Sequence, residues 1–242
     1  MNNRNVLAGP GWPEVVVALA CLSVLAIGGG LLLVRLDIHP VVLGLILTAL
    51  SGIGGLAGFI VAFSLRLRSW GAFGVRRTTR RWLLIAVGLG FITLKSLAIL
   101  AYIELTGDTR TPQDVYATGA SGGIASAVAA TVFLSVLTPL GEEFLFRGVI
   151  TTALLRYGAF FGVASGAIIV AILHGLNMVF PAALVTGLAA DKVYRRSGSV
   201  WSAVTVHSVV NLPTIPVMVL TNATDETQRY GIGGDADAAR II

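Results

Sequence analysis

Charge is scarce in this chain: Asp, Glu, Lys and Arg make up 12% of its 242 residues, about half the share found in soluble domains. So little charge cannot clothe a surface that faces water on all sides, and an apolar content of 55% makes lipid the natural solvent. Sulfur is scarcer still. The one cysteine, Cys21, lies inside an apolar run and rules out an intramolecular disulfide. No arginine stripe is interleaved with aromatics, so the net charge of +5 does not argue for nucleic acid as a partner. The clusters Gly28-Gly29-Gly30 and Gly52-x-Gly54-Gly55 lack the Lys-Ser/Thr of a phosphate loop. Close helix packing, the ordinary use of glycine in membrane helices, accounts for them.

What the chain has in abundance is long apolar runs. Residues 14–34, 40–65 and 82–104 are each long enough to cross a hydrocarbon core, which takes about 20 helical residues. The first of these has the length of a full span and is read as retained, not as a signal peptide. A fourth helix is expected from near Gly122 through Glu142 and Glu143 to about Arg156. Further runs at 160–178, 181–194 and 199–220 are separated by turn signals at Tyr157-Gly158, Phe180-Pro181 and Ser197-Gly198. The expected fold is therefore all-α, a polytopic transmembrane helical bundle of about seven to eight helices. Three regions are expected: N-terminal spans over 1–120, a core over 121–221, and a polar tail over 222–242 that is expected to be disordered.

Arg66, Arg68, Arg76, Arg77, Arg80 and Arg81 fill the loop between the second and third spans without an acidic residue. The positive-inside rule makes that loop cytoplasmic. Alternation then puts the N-terminus, Arg156, Arg195 and Arg196 inside, and the 105–120 loop with Asp108 and Asp114 outside. The expected setting is integral to the plasma membrane, with membrane lipid as its immediate partner.

Ionisable residues inside spans are costly and face a cavity or a partner. In Gly141-Glu142-Glu143-Phe144-Leu145-Phe146-Arg147, Glu143 precedes Arg147 by four residues, the favoured order for a helical ion pair. Glu142 is turned about 100° away and lacks that partner, which suits a group that takes and gives protons. The next span carries His174, and the last carries His207 and Asn211 on one face. Glu142 and His174 stand equally far from the turn at Gly158, so a hairpin brings them to similar depth. His207 matches that depth if the hairpin protrudes by about 10 Å. Asn177 reads equally as a helix-end cap and as a site residue, and stays outside the core set. Lys95, deep in the third span, is read as pairing with a cavity carboxylate, Glu142 among them, or as stretching to an interface.

Glu142-Glu143-x-x-x-Arg147, a histidine some thirty residues later, and His207-x-x-x-Asn211, each within a span, resemble the three-motif pattern of the type II CAAX prenyl endopeptidases. The wider group is also called the CPBP or ABI family. One departure stands out: the family commonly has phenylalanine four residues before its second-motif histidine, and here that residue is Val170. The resemblance implies intramembrane hydrolysis of a peptide bond in a membrane-associated peptide or protein, with CAAX-type processing as the namesake activity. It implies that Glu142 and His174 activate water, that His207 and Asn211 stabilise the oxyanion, and that Glu143 and Arg147 give structural support. No cofactor is expected. The alternative is zinc on Glu142, His174 and His207, a His₂Glu set with water as fourth ligand; no His-Glu-x-x-His motif occurs. The competing function is a non-catalytic immunity or scaffold protein of the same fold that binds a hydrophobic peptide. A transporter fits less well, because the polar groups fall in one half of the chain and not in two similar halves.

Overall fold

Lipid offers no partner for backbone N–H and C=O groups, so a chain of this composition must close its hydrogen bonds within helices. The computed structural model describes residues 9–78, 81–108 and 114–220, without the side chains of Arg81, Trp82 and Ala86, and no strand occurs among the described residues. Among the described residues eight helices follow one another: α1 (Trp12–Leu33), α2 (Pro40–Leu65), α3 (Arg81–Thr106), α4 (Asp114–Ala120), α5 (Ile124–Tyr157), α6 (Ala159–Leu173), α7 (Val179–Ser197) and α8 (Val200–Leu220). Five of them, α1, α2, α3, α5 and α8, are long and apolar enough to cross a membrane. Their outward faces carry Leu31, Ile60, Leu97, Leu100 and Val128, all exposed, as lipid contact requires. The chain is an integral membrane protein built as a helical bundle.

Two segments differ from the sequence reading. Residues 114–120, expected in a loop, form α4, whose Gly119 lies against the backbone of Gly44 in α2. The short 181–194 run belongs to a 19-residue helix, α7, whose second half carries Asp191, Lys192, Arg195 and Arg196 and so lacks the apolar length of a span. The tail from residue 222, expected to be disordered, lies outside the described residues.

α2 is the helix that positions the rest, touching α1, α4 and α5. It approaches α5 through glycine. A Cβ on Gly52 would sit 2.5 Å from the carbonyl oxygen of Leu137, and one on Gly55 would sit 2.5 Å from that of Gly141. A Cβ on Gly141 would overlap the carbonyl of Gly52. Backbone-to-backbone packing of this kind is open only to glycine, and it fixes the depth of Glu142, the residue after Gly141. Phe59 of α2 then packs edge-on against Phe144 of α5 at 5.0 Å and against Phe73 at 5.5 Å. This apolar cluster lies beside the two glutamates.

α5 is not a regular helix. It opens into π-helical turns at Phe133–Leu137 and Phe144–Thr151, on either side of the α-helical Thr138–Glu143. Pro139 explains the first: its ring clashes with the carbonyl four residues back and it has no N–H to donate there. At the second, the Thr152 hydroxyl donates to the Arg147 carbonyl at 2.7 Å, a side chain entering the helical ladder. α1 has a third such turn at Ser23–Gly28.

One end of the bundle gathers the arginines. Val200 N–H donates to Gly74 O and the Ser199 hydroxyl to Arg76 O, which ties the loop after α2 to the α7–α8 turn. Glu14, buried at the start of α1, accepts from Arg66 Nε at 2.6 Å and Nη2 at 2.7 Å, and Arg156 donates to the Pro10 carbonyl. Arg66, Arg68, Arg76, Arg77, Arg156, Arg195 and Arg196 are all exposed there. The N-terminus of α1, the loop after α2, and the α5–α6 and α7–α8 turns thus share one end.

Candidate active site

A cavity of about 330 Å³ opens between the helices, and Glu142, His174, His207 and Asn211 all line it. Its walls come from both sides of residue 120: Ala26 and Ile27 of α1, Ser51 of α2 and Lys95 of α3 face the same space. Val170, where the resembled family commonly has phenylalanine, is buried in the wall and offers a smaller side chain to the pocket.

Glu142 is buried and has no hydrogen bond or ion pair among the described residues. Its neighbour is the opposite case. Glu143 Oε1 accepts from Arg147 Nη1 at 3.0 Å, and also from His207 Nδ1 at 2.7 Å. Arg147 is buried as well; its Nη2 donates to the Gly187 carbonyl at 2.9 Å, and its Nε lies 3.2 Å from Asp191 Oδ1. Asp191 accepts in addition from the Thr151 hydroxyl at 2.6 Å. Gly166 of α6 makes room for this pair, since a Cβ there would fall 2.6 Å from Thr151 Oγ1 and 2.8 Å from Asp191 Oδ2. A buried cation flanked by two acids from two helices holds α5, α7 and α8 in one arrangement, because separating any partner leaves an uncompensated charge.

Both histidines are held through Nδ1. His174 ends α6, and its Nδ1 lies 2.8 Å from the carbonyl of Val170. A carbonyl only accepts, so Nδ1 carries the proton and the neutral ring keeps a bare Nε2. His207 is oriented likewise: its Nδ1 lies 2.7 Å from Glu143 Oε1, a carboxylate that accepts from Nδ1–H. Neither Nε2 has a hydrogen-bond partner among the described residues. Asn211 donates one amide hydrogen to the Leu134 carbonyl at 3.2 Å, which leaves its second hydrogen uncommitted.

The remaining candidates resolve differently. Asn177 donates to the His174 carbonyl at 2.9 Å and accepts from Val179 N–H at 2.8 Å, so it joins the end of α6 to the start of α7. Lys95 lines the cavity, but its hydrogen bond runs to Thr214 Oγ1 at 3.4 Å and no ion pair to Glu142 forms. Among the described residues no three His, Cys, Asp or Glu side chains form a group that could hold a metal ion. Asp191 escaped the sequence reading. As an acid inside an expected span it carried the signal that drew attention to Glu142.

No match to the chain was found among curated proteins or among solved structures. A family model does match, over residues 124–213, the stretch that runs from α5 into α8 and holds all four cavity residues. The matching model is that of the type II CAAX prenyl endopeptidase Rce1-like family, a family of proteases.

Proposed function

We propose that the protein is an intramembrane endopeptidase that hydrolyses a peptide bond in a membrane-associated peptide or protein, by CAAX-type processing or a related cleavage. The observation that carries the reading is Glu142: a buried carboxylate without a partner, in a cavity it shares with a histidine whose Nε2 is bare. In the proposed reaction a water binds between Glu142 and His174 Nε2 and gives its proton to Glu142. The oxygen attacks the scissile carbonyl, and the developing oxyanion is met by the free amide hydrogen of Asn211 and by Nε2–H of a doubly protonated His207, whose charge Glu143 balances. Collapse of the tetrahedral intermediate breaks the C–N bond, and Glu142 passes its proton to the leaving amine. Glu143 and Arg147 position His207 and take no part in proton transfer.

The proposed setting is the plasma membrane, with the arginine-rich end and the N-terminus in the cytoplasm, where basic loops are favoured. The test is cleavage of a peptide library by the purified protein in lipid, beside Glu142→Gln, with and without chelator. Expected are activity that resists the chelator and none in Glu142→Gln, because glutamine keeps the shape and cannot take the proton. Equal cleavage by both proteins would overturn the mechanism, and chelator sensitivity would turn it to zinc. Binding of peptides by the wild type without cleavage would favour the scaffold reading.

A further inference from the structure

The cavity holds two charged side chains that are not spent on each other. Glu143 is committed to Arg147 and His207, and Arg147 to Glu143, Asp191 and the Gly187 carbonyl. Glu142 and Lys95 remain. They line the same space, yet no ion pair joins them, and Lys95 has no carboxylate within ion-pair reach among the described residues. Lys95 lies midway along α3, where an ammonium is costly unless a partner or a ligand compensates it. Its one hydrogen bond among the described residues runs to Thr214. Thr214 Oγ1 accepts from Lys95 Nζ, so the hydroxyl hydrogen is left to donate outward, and the pair presents ammonium and O–H donors together.

We propose that Lys95 and Thr214 form a subsite for an anionic group of the bound peptide, either its C-terminal carboxylate or an acidic side chain close to the cleaved bond. This rests on the protease reading for the peptide's place in the cavity. Thr214 lies three residues beyond Asn211, about 5 Å along a helix. An extended peptide advances about 3.3 Å per residue, so the anionic group falls within about one to three residues of the carbonyl that Asn211 meets. The ammonium supplies charge and the carboxylate supplies the acceptors, a charge-assisted hydrogen bond that a neutral amide terminus cannot match.

The test uses dansyl-labelled apolar hexapeptides made in matched sets: C-terminal acids, C-terminal amides, and amides with Glu at each of the last three positions. Binding is measured on the full-length Glu142→Gln protein in lipid, so that affinity is read without turnover, and cleavage is measured on the wild type. Expected is a preference for acids over amides of about tenfold or more, lost in the Lys95→Met form and kept in Lys95→Arg. In cleavage the same ratio is expected chiefly in KM. Recovery of affinity by the Glu-bearing amides assigns the subsite to side chains; its absence assigns it to the terminus. Equal binding of acids and amides, binding of neither, or an acid preference that survives Lys95→Met overturns the proposal. An acid preference without cleavage by the wild type leaves the subsite standing and sinks the protease reading alone.

Discussion

Glu143 meets His207 through the same oxygen that meets Arg147: Oε1 stands 2.7 Å from His207 Nδ1 and 3.0 Å from Arg147 Nη1, while Oε2 is buried without a hydrogen-bond partner among the described residues. Sharing one oxygen couples the ring orientation of α8 to a charge pair wholly inside α5. The second glutamate of the motif is therefore a positioning group as well as a structural one.

Glu143→Gln is expected to lower kcat by about 10- to 100-fold, the usual cost of losing an outer partner that orients a functional histidine. It is also expected to lower the melting temperature in detergent, since Arg147 loses one of its two close ion-pair partners and keeps Asp191, and breaking a buried pair costs about 3–5 kcal/mol. Asp191→Asn is the contrast. It removes the other acid and is expected to destabilise the protein with a smaller effect on kcat, because His207 keeps its partner. Equal kcat losses in the two would show that Glu143 acts on stability alone.

Asn211→Ala is expected to retain some cleavage, reduced by about 100- to 1,000-fold, the loss typical of one oxyanion donor. The measurement is kcat, with the melting temperature alongside, because the substitution also strips the Leu134 carbonyl of a donor. A loss of under tenfold would remove Asn211 from the oxyanion site.

Gly141→Ala is expected to destabilise the protein by about 1–3 kcal/mol or more, because its Cβ overlaps backbone and neither α2 nor α5 can yield by rotating a side chain. Gly90 in α3 has open space around it, and Gly90→Ala is expected to be neutral or slightly stabilising. Unfolding of both in detergent checks the pair. Similar stabilities would mean that α2 and α5 are not pressed together at the glutamates.

In a Cys21→Ala background, Arg77→Cys is expected to resist an impermeant thiol reagent in intact cells, and Asp114→Cys to react with it. The reverse pattern would invert the proposed orientation.

Local pairings are legible in the sequence, because helical geometry alone brings residues four apart together: the Glu143–Arg147 bridge is of this kind. Glycine spacing in α2 announces close packing but not the partner, Gly141, nearly ninety residues on. Equal distances from the turn at Gly158 anticipate that Glu142 and His174 face one space. The contact of His207 with Glu143 is hidden for a different reason. It depends on how far α8 slides along α5, which no spacing within either helix encodes. Asp191 is masked because Lys192, Arg195 and Arg196 close by make its segment look like an ordinary helix end. α4 looks like loop because seven residues are too few for a pattern of apolar periodicity to emerge.

The three wide turns, Ser23–Gly28, Phe133–Leu137 and Phe144–Thr151, each supply residues to the cavity wall: Ala26 and Ile27, Leu134, and Phe146 with Arg147. A π turn behaves as an α-helix with one residue inserted, so it resets the angular frame of everything after it. Glu142 and Arg156 accordingly belong to different frames of a helix that looks continuous. Deleting a single residue from Phe144–Thr151 would leave the hydrophobic length of α5 nearly unchanged. It would let that stretch close into regular α-helix, with the glutamates and the arginine end keeping their faces and only the extra residue held by the wide turn lost.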